Sequence, residues 1–266
     1  MTPEQWQSIR ALTPARVALG RSGGSIPTAA HLRFRADHAR ARDAVNRDFD
    51  VDRIVSELTE AGYGTNAVTS AATSREEYVR RPDLGRVLSA ASEASLLAIA
   101  ADPCDLAIVL CDGLSPRAVE RHGPSLADAI ASDERLSGCS IGAISVVSNG
   151  RVAIGDEIAV VLGAGIVVVL IGERPGLSVS ESVGAYLTYE PRHGRTDAER
   201  NCVSNIHDLG LSIEDAAGRV VSLAVRARTI GLTGVALKDE DPTDATAIEV
   251  AAAVGTTPNR EGEVMT

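Results

Sequence analysis

The sequence predicts an α/β fold, in which a doubly wound and mostly parallel sheet is flanked by helices. One reason is the β-branched run at residues 166–171, which is bounded by glycines and is too short to span a membrane. Such a run is typical of a strand that is buried on both faces, as strands of parallel sheets are. A second reason is composition, because aromatic residues make up only 3% of the chain. A core of Ala, Val, Leu and Ile suits a helix-covered sheet better than a sandwich.

Residues 1–75 are predicted to form a small helical region that acts as an interface arm. Pro3 can occupy the first turn of a short helix, and Thr28 can cap a longer helix that runs to about Asn46. Val51–Glu60 is a further helix, which Gly62 can end. An acidic partner would suit the arginines of this region, although a solvated helix face explains them more simply. These arginines are Arg33, Arg35, Arg40, Arg42 and Arg47.

From Tyr78 onward strands alternate with helices, and this alternation predicts a doubly wound domain over residues 76–238. Asp83 is a candidate N-cap of a helix over residues 84–101. The remaining elements follow as strand 106–111, helix 116–132, strand 141–147, helix 156–162, strand 166–171, a short edge strand 185–189 and a closing amphipathic helix 213–230. The acidic tail, residues 239–266, lacks a sustained apolar face and is predicted to be disordered apart from one short helix.

Charge and cysteine usage exclude several classes of function. The formal charge of −10 argues against a nucleic-acid binder, because phosphate contacts need a basic surface. The four cysteines show neither CxxC spacing nor clustering with histidine, so we expect reduced thiols and no metal site. No apolar run has the length of a membrane-spanning helix, and the N-terminus lacks the apolar segment of a secretory signal. The expected location is the cytoplasm, and the sequence leaves open whether that means a protein-shelled microcompartment.

The polar turn at residues 172–176 is the first candidate for a ligand site. It follows the buried strand 166–171, and ligands of doubly wound sheets bind beyond the carboxyl ends of the strands. From spacing alone, a tight reversal in which Arg174 pairs with a neighbouring carboxylate is an equally good interpretation. Asp112, which follows the strand 106–111, is interpreted as a helix cap rather than as a ligand group.

Residues 20–24 satisfy GxSxG, the nucleophile elbow of α/β-hydrolases. That elbow needs a helix that begins at the serine, whose following backbone amide then helps to form an oxyanion hole. Here Pro27 intervenes and the predicted helix begins only at Thr28. A glycine-rich connector or an interface loop is therefore the better interpretation.

Six sequence strings carry a resemblance to a known family. In chain order they are GRSGG, DHARARDAV, RPDLGR, CDGLS, GERPGL and RTDAERNCVSNI. Their order and spacing, from about Leu12 to about Gly234, resemble the small subunit of ethanolamine ammonia-lyase. The resemblance implies one subunit of an adenosylcobalamin-dependent enzyme that converts ethanolamine to acetaldehyde and ammonia. It also implies a large barrel subunit that holds the substrate and the catalytic residues, and a cobalamin site that this chain completes at the interface.

The resemblance implies three cofactor-contacting positions in this chain, Val152, Glu173 and Cys202. A carboxylate at Glu173 is a strong acceptor for amide N–H groups or ribose hydroxyls. By themselves, Val152 would be a buried apolar residue and Cys202 a small buried hydrophobe without a nucleophilic or metal role. All three are expected to follow predicted strands. The corrinoid signature DxHxxG is absent, so the cofactor should keep its own benzimidazole on the cobalt.

Two other classes of function compete with this interpretation. A nucleotide-binding α/β module is disfavoured, because the sequence has neither GxGxxG after a strand nor a GxxxxGK[ST] loop. A purely structural partner subunit is the other alternative. Since no catalytic constellation is recognisable in the sequence, the chain alone is expected to be inactive.

Overall fold

The computed structural model describes residues 3–13, 15–21, 23–100 and 102–238. These residues contain eight α-helices and six strands, besides three short 3₁₀ turns. In chain order they are α1 Pro3–Ala11, α2 Thr28–Val45, α3 Val51–Glu60, β1 Thr65–Thr69, α4 Arg75–Arg80, α5 Ala90–Ile99, β2 Leu106–Cys111, α6 Pro116–Ala131, β3 Ile144–Ser148, α7 Ile154–Leu162, β4 Ile166–Gly172, β5 Val183–Tyr189, β6 Asn201–Ile206 and α8 Ile213–Ile230. The predicted disorder of residues 239–266 lies outside the described residues, as does Ser22.

The six strands form one mixed sheet in the order β1-β3-β2-β4-β5-β6. The first four strands are parallel, whereas β5 and β6 run antiparallel to their neighbours. Every residue of the central strands β2 and β4 is buried, as expected for strands that are covered on both faces. The predicted α/β class with a mostly parallel, doubly wound sheet is confirmed.

Two apolar layers enclose the sheet, one on each face. The side chains of Ile108 and Val168 belong to the larger cluster, which α3, α6 and α8 cover. Those of Val109 and Val169 point the other way, into the cluster that α5 and α7 cover. Because neighbouring residues of a strand face opposite sides, a continuous Val/Ile/Leu run can feed both layers at once.

The two outer strands and the short α4 were missed by sequence reasoning, and the prediction that 185–189 is an edge strand was wrong. The structure places β5 between β4 and β6. In β6 only Val203 and Ile206 are buried, and in β1 only Val68 is. A strand that buries so few side chains has no continuous apolar run by which it could be recognised.

The segment after Asp83 also differs from the prediction of one long helix. Residues Leu84–Arg86 form a 3₁₀ turn, the backbone is then extended, and α5 begins only at Ala90. Its N-cap is Ser89, whose hydroxyl accepts the N–H of Ser92. The Asp83 carboxylate caps nothing and pairs with Arg81 instead.

The N-terminal segment combines a predicted helical part with a strand that was not foreseen. Because β1 joins the sheet, residues 1–75 are not purely helical, while the domain boundary after residue 75 stays a prediction. Thr28 is the first residue of α2 rather than its cap, and Pro27 precedes it. Asp37 is the only residue of α2 that is buried, and it pairs with Arg16 and Arg40.

Among the described residues, no helix combines the length and the apolar character that crossing a bilayer requires.

Candidate functional site

A cleft of about 390 Å³ lies at the carboxyl ends of the central strands. The strand order reverses there, because β3 lies on one side of β2 and β4 lies on the other. Such a reversal is where doubly wound sheets bind their ligands. The walls come from the turns that follow β2, β3 and β4, from Tyr186 of β5, and from Arg86 and Asp197.

Two glycines form the floor of the cleft and let the turns after β2 and β4 touch. A Cβ atom on Gly172 would overlap the carbonyl oxygens of Ser115 and Asp112. Gly113 has a φ of +54°, and a Cβ atom there would overlap the carbonyl oxygen of Gly172. The N–H of Leu114 donates to that same oxygen over 2.9 Å. This close approach explains why glycine occupies both positions.

Glu173 is half-buried directly after β4, and its carboxylate has two donors among the described residues. The Ser182 hydroxyl donates to Oε2 over 2.6 Å, and the backbone N–H of Asn205 lies 3.5 Å from Oε1. Gly184 of β5 packs closely against this carboxylate, since a Cβ atom on Gly184 would lie 3.0 Å from Oε1. Because a carboxylate offers about four acceptor sites, Glu173 is oriented and still has capacity left for a ligand.

The turn that carries Val152 is held by Asp112, which was predicted to be a helix cap. That prediction was wrong, because Asp112 accepts the backbone N–H groups of Asn149 and Gly150 over 2.8 and 3.0 Å. It also pairs with Arg75 over 2.8 Å. Only 2% of Asp112 is exposed, and this burial raises its pKa to about 6 against the opposing effect of Arg75. The buried carboxylate therefore fixes the turn rather than meeting a ligand.

Tyr78 is the second support of the same turn, and sequence reasoning gave it no role. It is fully buried, and its hydroxyl donates to the Gly150 carbonyl over 2.9 Å. The guanidinium carbons of Arg75 and Arg151 lie 4.7 and 4.4 Å from its ring centroid. These residues come from two segments that lie far apart in the sequence, α4 and the turn after β3, so no local spacing could have predicted the arrangement.

Cys202 lies within β6, where it pairs with Tyr186 of β5, and not after a strand as predicted. Tyr186 lines the cleft, and Cys202 lies just behind it. The residue as a whole is exposed, but neighbouring atoms shield its sulfur from solvent. This desolvation, together with the negative charge of Glu173, raises the pKa of the thiol. A protonated thiol is a poor nucleophile and a poor metal ligand.

The RTDAERNCVSNI string contains a buried ion pair that holds the loop before β6. Arg200 donates to Asp156 of α7 over 2.8 Å and to the Thr188 hydroxyl over 2.7 Å. Its Nε lies 3.6 Å from Asp197, which lines the cleft. Arg200 thus ties the cleft wall to α7.

No cluster of three or more His, Cys, Asp or Glu side chains suited to a metal ion occurs within the described part of the chain.

The sequence model of the family described as ethanolamine ammonia-lyase light chain (EutC) matches residues 3–238. The chain belongs to this family. It is 52% identical over 236 residues to the ethanolamine ammonia-lyase small subunit of Bradyrhizobium diazoefficiens, a match that covers 87% of this chain and 89% of that protein. The small subunit of Rhodopseudomonas palustris is 49% identical over 239 residues, with coverage of 90% and 92%. That of Rhodococcus erythropolis is 47% identical over 246 residues, with coverage of 91% and 93%.

Membership in the light chain family confirms the resemblance found in the sequence, and the match spans the whole cleft. Of the three positions that the resemblance implied, Val152 and Glu173 line the cleft and Cys202 lies beside it. They reach this place from the turn after β3, the turn after β4 and the middle of β6. A contact of these three residues with cobalamin stays a prediction.

Proposed function

We propose that this chain is the small subunit of an adenosylcobalamin-dependent ethanolamine ammonia-lyase, which converts ethanolamine to acetaldehyde and ammonia together with a large subunit. In this proposal the cleft forms one side of the cobalamin site, and the large subunit forms the other. The supporting observation is that the family's two candidate contacts Val152 and Glu173 lie in one cleft at the point where the strand order reverses.

The size of the cleft supports a site that is shared between two chains. A pocket of about 390 Å³ can enclose a small organic molecule, and cobalamin is much larger than that. This chain would therefore cover one edge of the cofactor and leave the remainder to its partner. The lining suits such an edge, because it combines a carboxylate acceptor, arginine donors and the apolar side chains of Val152 and Leu114.

The residues of this chain would bind and orient rather than react. Bound adenosylcobalamin supplies the organic radical that starts the reaction. Glu173 would accept hydrogen bonds from amide N–H groups at the corrin rim, and Val152 would pack against an apolar part of the same edge. The covered cleft would keep water away from this side of the site. We assign no catalytic residue to this chain and place the substrate in the large subunit.

Reconstitution of the two subunits tests this proposal. Ethanolamine deamination is measured for this chain alone, for the large subunit alone and for their mixture, each with adenosylcobalamin. We expect turnover only in the mixture, and tighter cobalamin binding by the mixture than by the large subunit alone. Turnover by this chain alone would refute the division of roles. Equal cobalamin affinity with and without this chain would show that its cleft does not contribute to the site.

A further inference from the structure

Three arginines line the cleft. For Arg86, Arg151 and Arg174, no Asp or Glu of the described residues lies within ion-pair distance. Arg151 is half-buried, whereas Arg86 and Arg174 are exposed. Four other buried or half-buried arginines of the described residues have a carboxylate partner. Arg16 pairs with Asp37, Arg75 with Asp112, Arg195 with Glu199 and Arg200 with Asp156. Within the described residues, the positive charges of these three arginines therefore have no ion-pair partner, although Glu173 and Asp197 line the same cleft.

Arg151 is the most constrained of the three. Its backbone N–H donates to the Gly85 carbonyl over 2.7 Å, and its guanidinium stacks on the Tyr78 ring at 4.4 Å. Its Nε is buried and has no hydrogen-bond partner among the described residues. The ring's other neighbour, Arg75, is neutralised by Asp112. Two guanidinium groups thus share one ring and one carboxylate, which leaves one positive charge on the cleft wall.

An uncompensated, half-buried charge is costly, and a bound anion would remove that cost. A guanidinium presents its donors in a planar fork that matches two oxygens of a phosphate group. Stacking on Tyr78 holds this fork before a ligand arrives, so less side-chain entropy is lost on binding. The geometry therefore favours a phosphate-type anion beside Arg151.

We propose that Arg151, assisted by Arg86 and Arg174, binds the phosphodiester in the nucleotide loop of cobalamin. This inference rests on the proposed function and adds an anion subsite to it. The phosphodiester carries one negative charge, which equals the charge left over at Arg151. The cleft then has two chemically distinct sides, since Glu173 accepts from neutral amides while Arg151 donates to the anion.

The test compares cobalamin with cobinamide, which keeps the corrin ring and its amides but lacks the nucleotide loop and its phosphodiester. Both ligands are titrated into the reconstituted complex and followed by their absorption spectra. Arg151→Gln should raise the dissociation constant for cobalamin about ten- to a hundredfold and leave that for cobinamide unchanged. Arg151→Lys, which keeps the charge but loses the fork, should give an intermediate loss. Higher salt should weaken cobalamin binding by the wild type more than by Arg151→Gln.

Arg228→Gln is the control for the change in net charge. Arg228 pairs with Asp105 directly before β2, at the amino end of the strand, whereas the cleft lies at the carboxyl ends. This variant should bind both ligands as the wild type does. Melting of each free subunit establishes that the variants fold.

The possible outcomes separate this inference from the proposed function. Equal loss of affinity for cobalamin and cobinamide, or weaker subunit association in Arg151→Gln, would show that Arg151 faces the large subunit and would overturn the inference. Unchanged cobalamin affinity in folded Arg151→Gln and Arg151→Lys would overturn it as well, while the proposed function would stand. A wild-type complex that binds no cobalamin would overturn both.

Discussion

Two carboxylates occupy equivalent places in this fold and have different environments. Asp112 directly follows the central strand β2, and Glu173 directly follows its neighbour β4. Asp112 is buried and is held by Arg75 and by the N–H groups of Asn149 and Gly150. Glu173 is half-buried, and its protein donors are the hydroxyl of Ser182 and one long contact to a backbone N–H.

The difference shows that a place at the carboxyl end of a strand does not decide whether an acid meets a ligand. The deciding factor is how many hydrogen-bond acceptor sites of the carboxylate are already occupied by donors of the protein itself. The carboxylate of Asp112 accepts hydrogen bonds from the turn that carries Arg151 and Val152, and it thereby fixes the shape of the cleft. Glu173 keeps capacity toward the cleft and can accept from a ligand. Substitution of the two acids should therefore affect different properties.

The largest effect is expected for Asp112→Ala, as a loss of folding stability. The substitution leaves the half-buried Arg75 without its carboxylate partner and leaves the backbone N–H groups of Asn149 and Gly150 without an acceptor. Breaking a buried ion pair in this way costs about 3–5 kcal/mol. Urea unfolding of the free subunit, followed by far-ultraviolet circular dichroism, measures the loss. A change below about 1 kcal/mol would mean that water or relaxation replaces the pair, and that Asp112 is less different from Glu173 than its burial indicates.

The second-largest effect is expected in the pH dependence of folding stability, through the protonation of Asp112. Burial raises its pKa from 3.8 to about 6, so the folded state holds the proton more tightly than the unfolded state does. Its contribution to stability is therefore fully present below about pH 4 and is lost as the pH rises through about 6. We expect the stability difference between wild type and Asp112→Asn to fall by about 3 kcal/mol over this range. A difference that does not change with pH would contradict the raised pKa.

Glu173→Ala should instead reduce cofactor affinity and leave folding nearly intact. If Glu173 accepts hydrogen bonds from cobalamin, the loss should be about 1.5–3 kcal/mol, or about ten- to a hundredfold in dissociation constant. Glu173→Gln should be milder, because the amide oxygen still accepts. Turnover at saturating cofactor should fall less than affinity does.

Cobalamin titration of the reconstituted complex measures the effect of Glu173→Ala, and melting of the free subunit is its control. Unchanged affinity in a well-folded variant would make Glu173 a turn residue only. A melting temperature as low as that of Asp112→Ala would make both acids structural, and the contrast between them would disappear.

The centre of the sheet could be predicted from the sequence, because burial on both faces leaves a continuous apolar signal. The bounds of β2 were predicted in full, and those of β4 to within one residue. The outer strands β1 and β6 could not be recognised, since they bury few side chains. The helix over 84–101 failed for a related reason, because a 3₁₀ turn and an extended segment interrupt it where Gly85 packs against Tyr78.

The candidate site was predictable only where it lies next to a central strand. Glu173 stands in a polar turn directly after an apolar run, and that position is a visible signal. Asp112 has the same signal but was given the wrong role, because its partners Arg75 and Asn149 lie 37 residues away on either side. Tyr78 and Arg151 gave no signal, since their stacking depends on contacts between distant segments.

The smallest effect is expected for Cys202→Ser, which replaces one weakly polar group by a smaller polar one on β6. Cys202 lies behind Tyr186 and does not line the cleft directly. Its thiol has a raised pKa, so it carries no charge that a ligand could use near neutral pH. We expect cobalamin affinity to change by less than about threefold, which corresponds to less than about 1 kcal/mol. Cobalamin titration measures this change in affinity, and the loss measured for Glu173→Ala in the same way provides the scale. A loss as large as that of Glu173→Ala would place the sulfur in direct contact with the cofactor and extend the ligand-facing side of the cleft from β4 to β6.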